Sequence, residues 1–593
     1  MRTKRTMVIL LVIQLCLLGL IGRLAQLQLV STESFSNQHI NLIEASVAQR
    51  TQAMVVSDGR GTFVDKNGKP LTEQEIPVLV LFPFLKSMDW PIEKVANILH
   101  VSASALRLQL MKAKEPIVFS SGDEPFPLTE AQMNKINRLH LAGVVAVKKQ
   151  YPIEHSYAAQ LIGFTREDPQ LLRVRYGERP ISAQTKVGIH GLQKAFDEFL
   201  LPEGETRLLY HVDAEGGPLF GLDVKYSAPG NPFYPITVQT TLDRDLQEMT
   251  EKVLDEKGLE KGGAVLLDVA TNSVLAIASR PAMDPHDPYK NNGAENQMVL
   301  PQIPGSVFKT VIAAAAIEKG IAKQMFECSR KIDGTPDTEH SYGQLSFAES
   351  FAVSCNNAFG TLGKQLVSQN KDIIEQYAEK LGLYPLVGWQ GDVYHLTNFR
   401  QLPEEKSGAI WHDKSDKYVP LAVAQTAIGQ KNVRVSPLAV ANMMATIARG
   451  GEAKQVRVVS KMVYKNGTTF FTFPEQPLAQ DPLSHATVRK MQELLRGVVT
   501  DARGTGRRFQ TLPYAVAGKS GTAQTGKTNA SGEPLINKWF AGYFPADSPK
   551  YVLVVVALDS TSERAVTNDV FYELVKRLYE WDAAQQAKDV SPK

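Results

Sequence analysis

The sequence predicts an α+β fold in its second half, with helices packed on one antiparallel sheet. Strand-like runs stand at both ends of this half, at residues 263–268, 273–279, 519–525, 539–544 and 551–558. Residues 320–450, between them, are mainly helical. Strands from both ends share one sheet when the middle is inserted beside it, so the order predicts a helical subdomain. A cleft between sheet and insert is a natural place for a site.

Bulk composition predicts a multidomain chain without a nucleic-acid partner. The chain has 593 residues, of which 43% are hydrophobic, and its net charge of +3 comes from charges of both signs scattered along it. Such a balance gives no support for a nucleic-acid surface. The three cysteines, Cys16, Cys328 and Cys355, do not stand at zinc-binding spacing, and no metal or cofactor is expected. Their spacing leaves open whether Cys328 and Cys355 form a disulfide.

The start of the chain predicts a membrane anchor. Arg2, Lys4 and Arg5 precede an uncharged run over residues 7–22, and Arg23 ends it. The run is long for the apolar part of a cleaved signal, and no small-residue cleavage site follows it. We interpret residues 1–30 as a cytoplasmic stub and a single-pass anchor, with the rest of the chain outside the cell membrane. The alternative is a cleaved signal peptide.

Two larger segments follow the anchor. Residues 31–235 mix short strands and amphipathic helices without a catalytic constellation, which is typical of a spacer or docking module. Gly and Pro accumulate over residues 203–235, the predicted boundary. A second domain is expected over residues 236–584, where Asp243 caps a helix to about residue 257 and a last helix covers about 567–583. Residues 585–593 are expected to be a disordered tail.

A nucleophile candidate stands where a turn meets an apolar helix. Pro304 and Gly305 suit the turn, and the apolar run that follows Lys309 suits a buried helix. Ser306 falls in the first turn, where free backbone N–H groups favour negative charge. A serine alcohol needs a base to take its proton, and Lys309 lies on the same face about one turn away. For this pattern alone, a helix cap with a solvated lysine is the commoner explanation.

Two further motifs change that balance. Acyl transfer by a serine–lysine pair also needs a second proton carrier, an amide that aligns the substrate, and donors for the oxyanion and a substrate carboxylate. Ser354 and Asn356 can supply the carrier and the amide. Lys519, Ser520, Gly521 and Thr522 can supply the donors for the oxyanion and the substrate carboxylate. They stand on a predicted strand, where Gly521 allows the backbone to approach a ligand closely.

The sequence also contains copies of these short patterns. Ser368, Asn370 and Lys371 match the first two motifs, and Lys406 with Ser407 begins a copy of the third. The copies stand in polar runs, with no apolar helix behind Lys371 and no strands around Lys406. Context therefore favours the set Ser306/Lys309, Ser354/Asn356 and Lys519/Thr522.

This set resembles, in order and spacing, the transpeptidase domain of the penicillin-binding proteins. Supporting matches occur at Thr241-Leu242-Asp243, Gly429-Gln430, Gly504-Thr505-Gly506 and Trp539-Phe540-Ala541-Gly542. The front half resembles the class B subgroup through Arg60-Gly61-Thr62 and residues 188–197, and the E-D-x-x-F motif of the class A glycosyltransferases is absent. The resemblance implies a penicillin-binding, serine–lysine transpeptidase fold: a sheet flanked by helices with a helical subdomain, preceded by an elongated α/β pedestal and one transmembrane helix.

The resemblance also implies roles for the site residues. Ser306 would attack the penultimate D-alanine of a peptidoglycan stem peptide, with Lys309 as base and Ser354 as proton carrier to the leaving D-alanine. Asn356 would orient the stem-peptide amide, and Lys519, Ser520 and Thr522 would bind the terminal carboxylate. The backbone N–H groups of Ser306 and Thr522 would hold the oxyanion. β-Lactams would acylate Ser306, and a membrane glycosyltransferase is the implied partner.

Three other functions share these features. A D-alanyl-D-alanine carboxypeptidase or a β-lactamase has the same triad but releases the acyl group to water. A β-lactam sensor would need cytoplasmic machinery, and only about six residues precede the predicted span. A scaffold that docks to a membrane polymerase would not need its catalytic residues.

Overall fold

The computed structural model describes residues 2–35, 41–177, 179, 181–213, 224–478, 481–561 and 566–590. The chain forms two compact units. The first consists of Met1–Gly59, Gln74–Tyr151 and Glu203–Asn231, and the second of Arg60–Glu73, Pro152–Pro202 and Pro232–Lys593. Two segments of the predicted front module over residues 31–235, Arg60–Glu73 and Pro152–Pro202, thus group with the second unit.

Specific contacts hold these two segments in the second unit. The strand Thr62–Val64 pairs in parallel with Thr237–Thr240. Arg60 donates a 2.8 Å hydrogen bond to Asp197, and both side chains are buried. Local sequence patterns do not reveal such pairings, since their partners lie more than a hundred residues apart.

The first unit contains two three-stranded sheets and several helices. One sheet places Thr206–His211 between Thr51–Ser57 and Lys225–Ser227, and the other places Glu73–Leu81 between Ile117–Val118 and Val144–Pro152. A short hairpin pairs Ser120–Ser121 with Glu124–Pro125. The helical segments of this unit are Arg2–Ala25, Gln26–Val30, Leu42–Gln49, Pro83–Lys86, Ile92–Leu99, Ala103–Lys112 and Glu130–Asn137.

Among these, the N-terminal helical segment stands out by composition. Residues 4–30 form one helical stretch long and apolar enough to cross a membrane. Its large apolar side chains, such as Leu10 and Leu18, are exposed in the chain alone. A long exposed apolar helix is suited to lipid, which agrees with the predicted single-pass anchor.

The second unit is built on a five-stranded antiparallel sheet. Its strands follow the order Val274–Arg280, Gly262–Asp268, Tyr551–Ser560, Pro534–Phe544, Ala517–Thr528. This confirms that strands from both ends of the segment share one sheet. Successive side chains of a strand face opposite sides, so Val265 and Leu266 enter two different cores.

Helices cover both faces of this sheet. Arg244–Glu256, which Asp243 caps as predicted, packs with Val566–Val590 in the core that contains Leu266. Lys309–Glu318 and Pro437–Ala448 contribute to the core on the other face. The remaining helices of the unit are Ala159–Ile162, Pro169–Tyr176, Gly191–Ala195, Asp197–Leu200, Phe347–Ala352, Asn356–Gln369, Ile373–Lys380, Pro420–Ala427 and His485–Thr500, with 3-10 turns at Lys290–Asn292, Gly305–Phe308, Lys414–Tyr418 and Arg507–Thr511.

Smaller strands complete the second unit. A four-stranded sheet has the order Thr62–Val64, Thr237–Thr240, Val459–Val463, Thr469–Thr472. Three two-stranded pairs are Thr165–Glu167 with Lys186–Gly188, Phe326–Glu327 with Gln344–Leu345, and Gln390–Val393 with Leu396–Arg400. The mainly helical insert thus also carries short hairpins.

The end of the chain differs from the expected disordered tail. The last helix continues to Val590, past residue 585 where the sequence predicted disorder to begin. Residues 583–588 are Ala, Ala, Gln, Gln, Ala and Lys, which are strong helix formers, so a helix already nucleated by packing can extend through them. Residues 591–593 lie outside the described part.

Candidate active site

Ser306 lies at the point where a tight turn becomes a buried helix. The 3-10 turn Gly305–Phe308 leads directly into the α-helix Lys309–Glu318. The side chains from Val311 to Ala316 are fully buried, as expected for a helix that is apolar on all sides. Ser306 is partly exposed between buried Gly305 and Val307. The helix therefore anchors the turn in the core, while the serine stays partly exposed.

Lys309 is fully buried and bound to the second predicted motif. Its Nζ donates to the Ser354 carbonyl oxygen at 2.6 Å and to Asn356 Oδ1 at 2.7 Å, and lies 3.1 Å from Ser354 Oγ. A neutral amine has two N–H bonds and one lone pair. The carbonyl and amide oxygens use both N–H bonds, which leaves the lone pair free to accept a hydroxyl proton.

The electrostatic surroundings favour this neutral form. Burial lowers the pKa of Lys309 well below its usual value, and the positive charge of Lys519 lowers it further. The three oxygen atoms around its Nζ belong to an uncharged peptide group, hydroxyl and amide. Burial and the charge of Lys519 therefore favour the neutral amine of Lys309, which is the form that a general base requires.

The second motif, Ser354 and Asn356, lies at a strained backbone corner that a disulfide cross-links. Ser354 has a φ of 63°, in the left-handed region that non-glycine residues rarely adopt. Cys355, the next residue, caps the helix Asn356–Gln369 and forms a disulfide with Cys328. The pairing left open by the sequence therefore exists, and it fixes the corner between Ser354 and Asn356.

The third motif lies on the edge strand Ala517–Thr528. Lys519 is fully buried, and burial lowers its pKa to about 7. Its Nζ donates to the Ser520 carbonyl oxygen at 3.2 Å and lies 5.7 Å from the centre of the Phe351 ring. Ser520 and Thr522 alternate with the buried positions and are more exposed. On one face of the strand the Lys519 side chain is thus buried, and on the other face the hydroxyl groups of Ser520 and Thr522 are more exposed.

The turn that contains Ser306 and this strand meet backbone to backbone. A Cβ atom at Gly305 would stand 2.2 Å from the Thr522 carbonyl oxygen, and one at Gly521 would stand 2.7 Å from the Pro304 carbonyl oxygen. Only glycine fits at both positions, and Gly305 also has a φ of 56°. The first and third motifs therefore form one compact surface.

Three contacts outside the motifs hold this surface together. The Gly305 N–H donates to the Gly429 carbonyl oxygen at 3.0 Å, and the Gln430 side chain donates to the Thr522 carbonyl oxygen at 3.3 Å. The Trp539 indole N–H donates to the Ile303 carbonyl oxygen at 3.0 Å. Sequence reasoning gave these residues no role, although Gly429, Gln430 and Trp539 stand in stretches that carry the resemblance.

The copies of the motifs lie elsewhere and differ in burial. Ser368 is exposed, and its hydroxyl donates to the Gln365 carbonyl oxygen. Lys371 lies 4.9 Å from the centre of the Tyr418 ring, and Lys406 and Ser407 are exposed. The structure brings Lys309, Ser354 and Asn356 into direct contact and joins the Ser306 turn to the Lys519 strand, but it leaves the copies on the surface.

The chain matches two known protein-family models. Residues 262–576, more than half of the chain, match the family model described as the penicillin-binding protein transpeptidase domain. The chain belongs to this family. Residues 56–234 match the penicillin-binding protein dimerisation domain, which identifies it as a class B penicillin-binding protein.

Relatives of this class B penicillin-binding protein cover most of its length. Stage V sporulation protein D of Bacillus subtilis (strain 168) is 25% identical over 84% of this chain and 74% of its own. Peptidoglycan D,D-transpeptidase FtsI of Escherichia coli (strain K12) is 24% identical over 92% of this chain and 86% of its own. A solved chain from a peptidoglycan synthase complex has the same fold, with a TM-score of 0.61 and 23% identity over 96% of this chain and 97% of its own.

Proposed function

We propose that this class B penicillin-binding protein is a peptidoglycan D,D-transpeptidase that cross-links stem peptides through an acyl-enzyme on Ser306. The observation that carries the proposal is the burial of two lysines at one site: Lys309 and Lys519 are both 0% exposed. A buried ammonium is costly, so burial favours the neutral amine of Lys309 that can act as a base, whereas Lys519, with a pKa of about 7, can still carry a positive charge below that pH. Relatives named peptidoglycan D,D-transpeptidases support the same activity.

Acylation begins when Ser306 Oγ attacks the carbonyl carbon of the penultimate D-alanine. The Lys309 amine accepts the hydroxyl proton through its lone pair. Negative charge develops on the carbonyl oxygen, and the backbone N–H groups of Ser306 and Thr522 stabilise it. Loss of one such donor typically slows acyl transfer about a hundredfold or more.

Collapse of the intermediate requires a proton for the leaving D-alanine. Ser354 Oγ, 3.1 Å from the Lys309 Nζ, donates its proton to the leaving nitrogen and takes one from Lys309. The Asn356 amide aligns the stem-peptide backbone, and the terminal carboxylate binds to Lys519, Ser520 and Thr522. Close passage of the substrate past the strand requires Gly521.

The acyl group then transfers from Ser306 to an amine of a neighbouring stem peptide. This step forms the cross-link and frees Ser306. A β-lactam imitates the donor: its ring opens on Ser306 and leaves an ester that water cleaves slowly. Neither step requires a metal or a cofactor.

We propose that the catalytic domain stands on the outer side of the cell membrane, anchored by residues 4–30. The Cys328–Cys355 disulfide supports this orientation, because disulfides persist in oxidising compartments outside the cytoplasm. The positive residues at the start of the helix, Arg2, Lys4 and Arg5, support it as well. The fold shared with a chain from a peptidoglycan synthase complex supports a membrane glycosyltransferase as partner.

The nucleophile can be tested with penicillin and the full-length chain in detergent. Peptide mapping by mass spectrometry should find one penicilloyl adduct, on the peptide that contains Ser306. Ser306→Ala should lose the adduct, and Ser368→Ala, the matched variant in the exposed copy, should retain it. An adduct on another serine would contradict the proposal.

A second measurement separates cross-linking from hydrolysis. A donor peptide that ends in D-alanyl-D-alanine is incubated with increasing concentrations of a stem-peptide amine. A transpeptidase converts donor to cross-linked product in proportion to the amine, whereas a carboxypeptidase releases only the shortened donor. Hydrolysis alone at saturating amine would favour the carboxypeptidase.

A further inference from the structure

A tight turn bonds to both the helix Phe347–Ala352 and the strand Ala517–Thr528, and it takes no part in the proposed catalytic steps. Gly504, Thr505 and Gly506 form this turn, which we call the Thr505 turn. The Thr505 N–H donates to the Ala352 carbonyl oxygen at 3.1 Å, and Ser520 Oγ donates to Thr505 Oγ1 at 2.7 Å. Ala352 ends the helix that leads into Ser354, and Ser520 stands on the lysine strand. One residue therefore bonds to both motif-bearing elements.

The position of the turn is fixed by bonds to its surroundings. The Gly506 N–H donates to the Val498 carbonyl oxygen at 3.0 Å, and the Gly504 N–H donates to the Asp501 carbonyl oxygen at 2.9 Å. The neighbouring Arg503 donates to Glu349 at 3.0 Å, which adds a second tie to the helix Phe347–Ala352. The Thr505 side chain is thus held by a rigid backbone rather than by a free loop.

The Ser520 hydroxyl has only one proton to give. Ser520 stands on the exposed face of the strand, the face that it shares with Thr522. While its proton points at Thr505, Ser520 presents only lone pairs to an approaching carboxylate. If Thr505 donates instead, Ser520 accepts from Thr505 and turns its own proton towards the ligand. A pair of hydroxyl groups can reverse in this way without moving a heavy atom.

We propose that Thr505 is a positioning residue for recognition of the substrate's terminal carboxylate. By donating to Ser520 Oγ, it directs the Ser520 proton to that carboxylate, and it holds this hydroxyl in register with the helix that leads into Ser354. The inference rests on the proposed function and adds a specificity determinant to the same site. It concerns ligands with a carboxylate and predicts little effect on ligands without one.

The test compares two thioester donors that differ only at the terminus, one ending in a carboxylate and the other in a carboxamide. Acylation of the full-length chain is followed with each donor for the wild type, Thr505→Val, Thr505→Ser and Thr500→Val. Valine keeps the shape of threonine but can neither donate a hydrogen bond to Ser520 Oγ nor accept one from it, whereas serine restores the hydroxyl. Thr500 is a matched control on the preceding helix, where its hydroxyl bonds to the Arg496 carbonyl oxygen.

For Thr505→Val we expect the second-order acylation constant to fall about tenfold with the carboxylate donor and by less than about threefold with the carboxamide, because a hydrogen bond to a charged group is the stronger one. The loss should appear in the apparent affinity rather than in the maximal rate. Thr505→Ser should recover the wild-type preference, and Thr500→Val should not change it.

Equal losses with the two donors would overturn the inference, since they would show a merely structural role. An unchanged preference in Thr505→Val would overturn it too. Failure of the wild-type chain to react with either donor would instead contradict the proposed function, and the inference with it. Thermal melting of each variant checks that the fold is intact, and Thr505→Ser keeps the test decisive if valine disturbs the turn.

Discussion

Gly305 and Thr522 touch through their backbones: a Cβ atom on Gly305 would stand 2.2 Å from the Thr522 carbonyl oxygen. The two residues are more than two hundred positions apart in the sequence. Their contact joins the turn that carries Ser306, the proposed nucleophile, to the strand that carries Lys519. The spacing between the proposed oxyanion donors therefore depends on the absence of a side chain at residue 305.

This contact predicts the outcome of Gly305→Ala. The new methyl group must push the strand away, and the φ of 56° adds strain of roughly 1–2 kcal/mol. We expect acylation by penicillin to slow about a hundredfold or more, as when an oxyanion donor is lost. The control is Gly497→Ala, at a helix position with open space around it. That variant should keep its rate in a fluorescent-penicillin assay, and a normal rate in Gly305→Ala would show that the strand yields easily.

The base can be tested with Lys309→Met, which has a similar length but no amine. We expect the acylation rate to fall about a thousandfold, within the range for loss of a general base. The melting temperature should fall only modestly, because methionine fills the same buried space, although Ser354 and Asn356 each lose a hydrogen-bond donor. Lys371→Met, in the exposed copy of the motif, should acylate normally. Comparable losses in both variants would show that burial does not select the working lysine.

The two buried lysines predict a bell-shaped dependence of acylation on pH. Lys309 must be neutral to act as base, so the rate should rise with pH as its lowered pKa is passed. Lys519 must be charged to attract a carboxylate, so the rate should fall as pH rises through its pKa of about 7. Stopped-flow acylation from pH 5 to 10 measures both limbs.

The alkaline limb has its own test. Lys519→Arg keeps a positive charge throughout this range and should remove the limb while leaving the acid side in place. An alkaline limb that is unchanged in this variant would assign the titration to another group.

Removal of the Cys328–Cys355 disulfide should lower the stability of the fold by a large amount. Cys328 and Cys355 are 27 residues apart, and closing a loop of that size stabilises a folded chain by about 3.5 kcal/mol in the chain-entropy estimate. The free energy of unfolding of the double variant Cys328→Ser/Cys355→Ser should be lower by that amount, so its denaturation midpoint should move to a lower denaturant concentration. Cys16→Ser, at the exposed free cysteine in the N-terminal helix, is the control and should not change the midpoint. An unchanged midpoint in the double variant would show that packing alone holds the Ser354 corner.

The sequence predicted much of the second unit because its signals are local. The Asp243 cap, the antiparallel strands and the apolar helix after Ser306 follow from residue periodicity and capping chemistry, and the structure contains them. The helix at the end of the chain extends further than predicted. Composition suggested disorder there, but helix propensity and a packed helix before it favour continuation.

The sequence by itself determined which chemical groups this protein has and in what order: a serine and a lysine one turn apart, a serine and an asparagine at a corner, and a lysine strand. Only the tertiary structure decided which copies are buried together, because a short motif contains no information about its burial. It also decided the Cys328–Cys355 pairing, the contact of Gly305 with Thr522 and the bond between Thr505 and Ser520. Each of these depends on the approach of distant segments, which packing of the whole core fixes and no local pattern encodes.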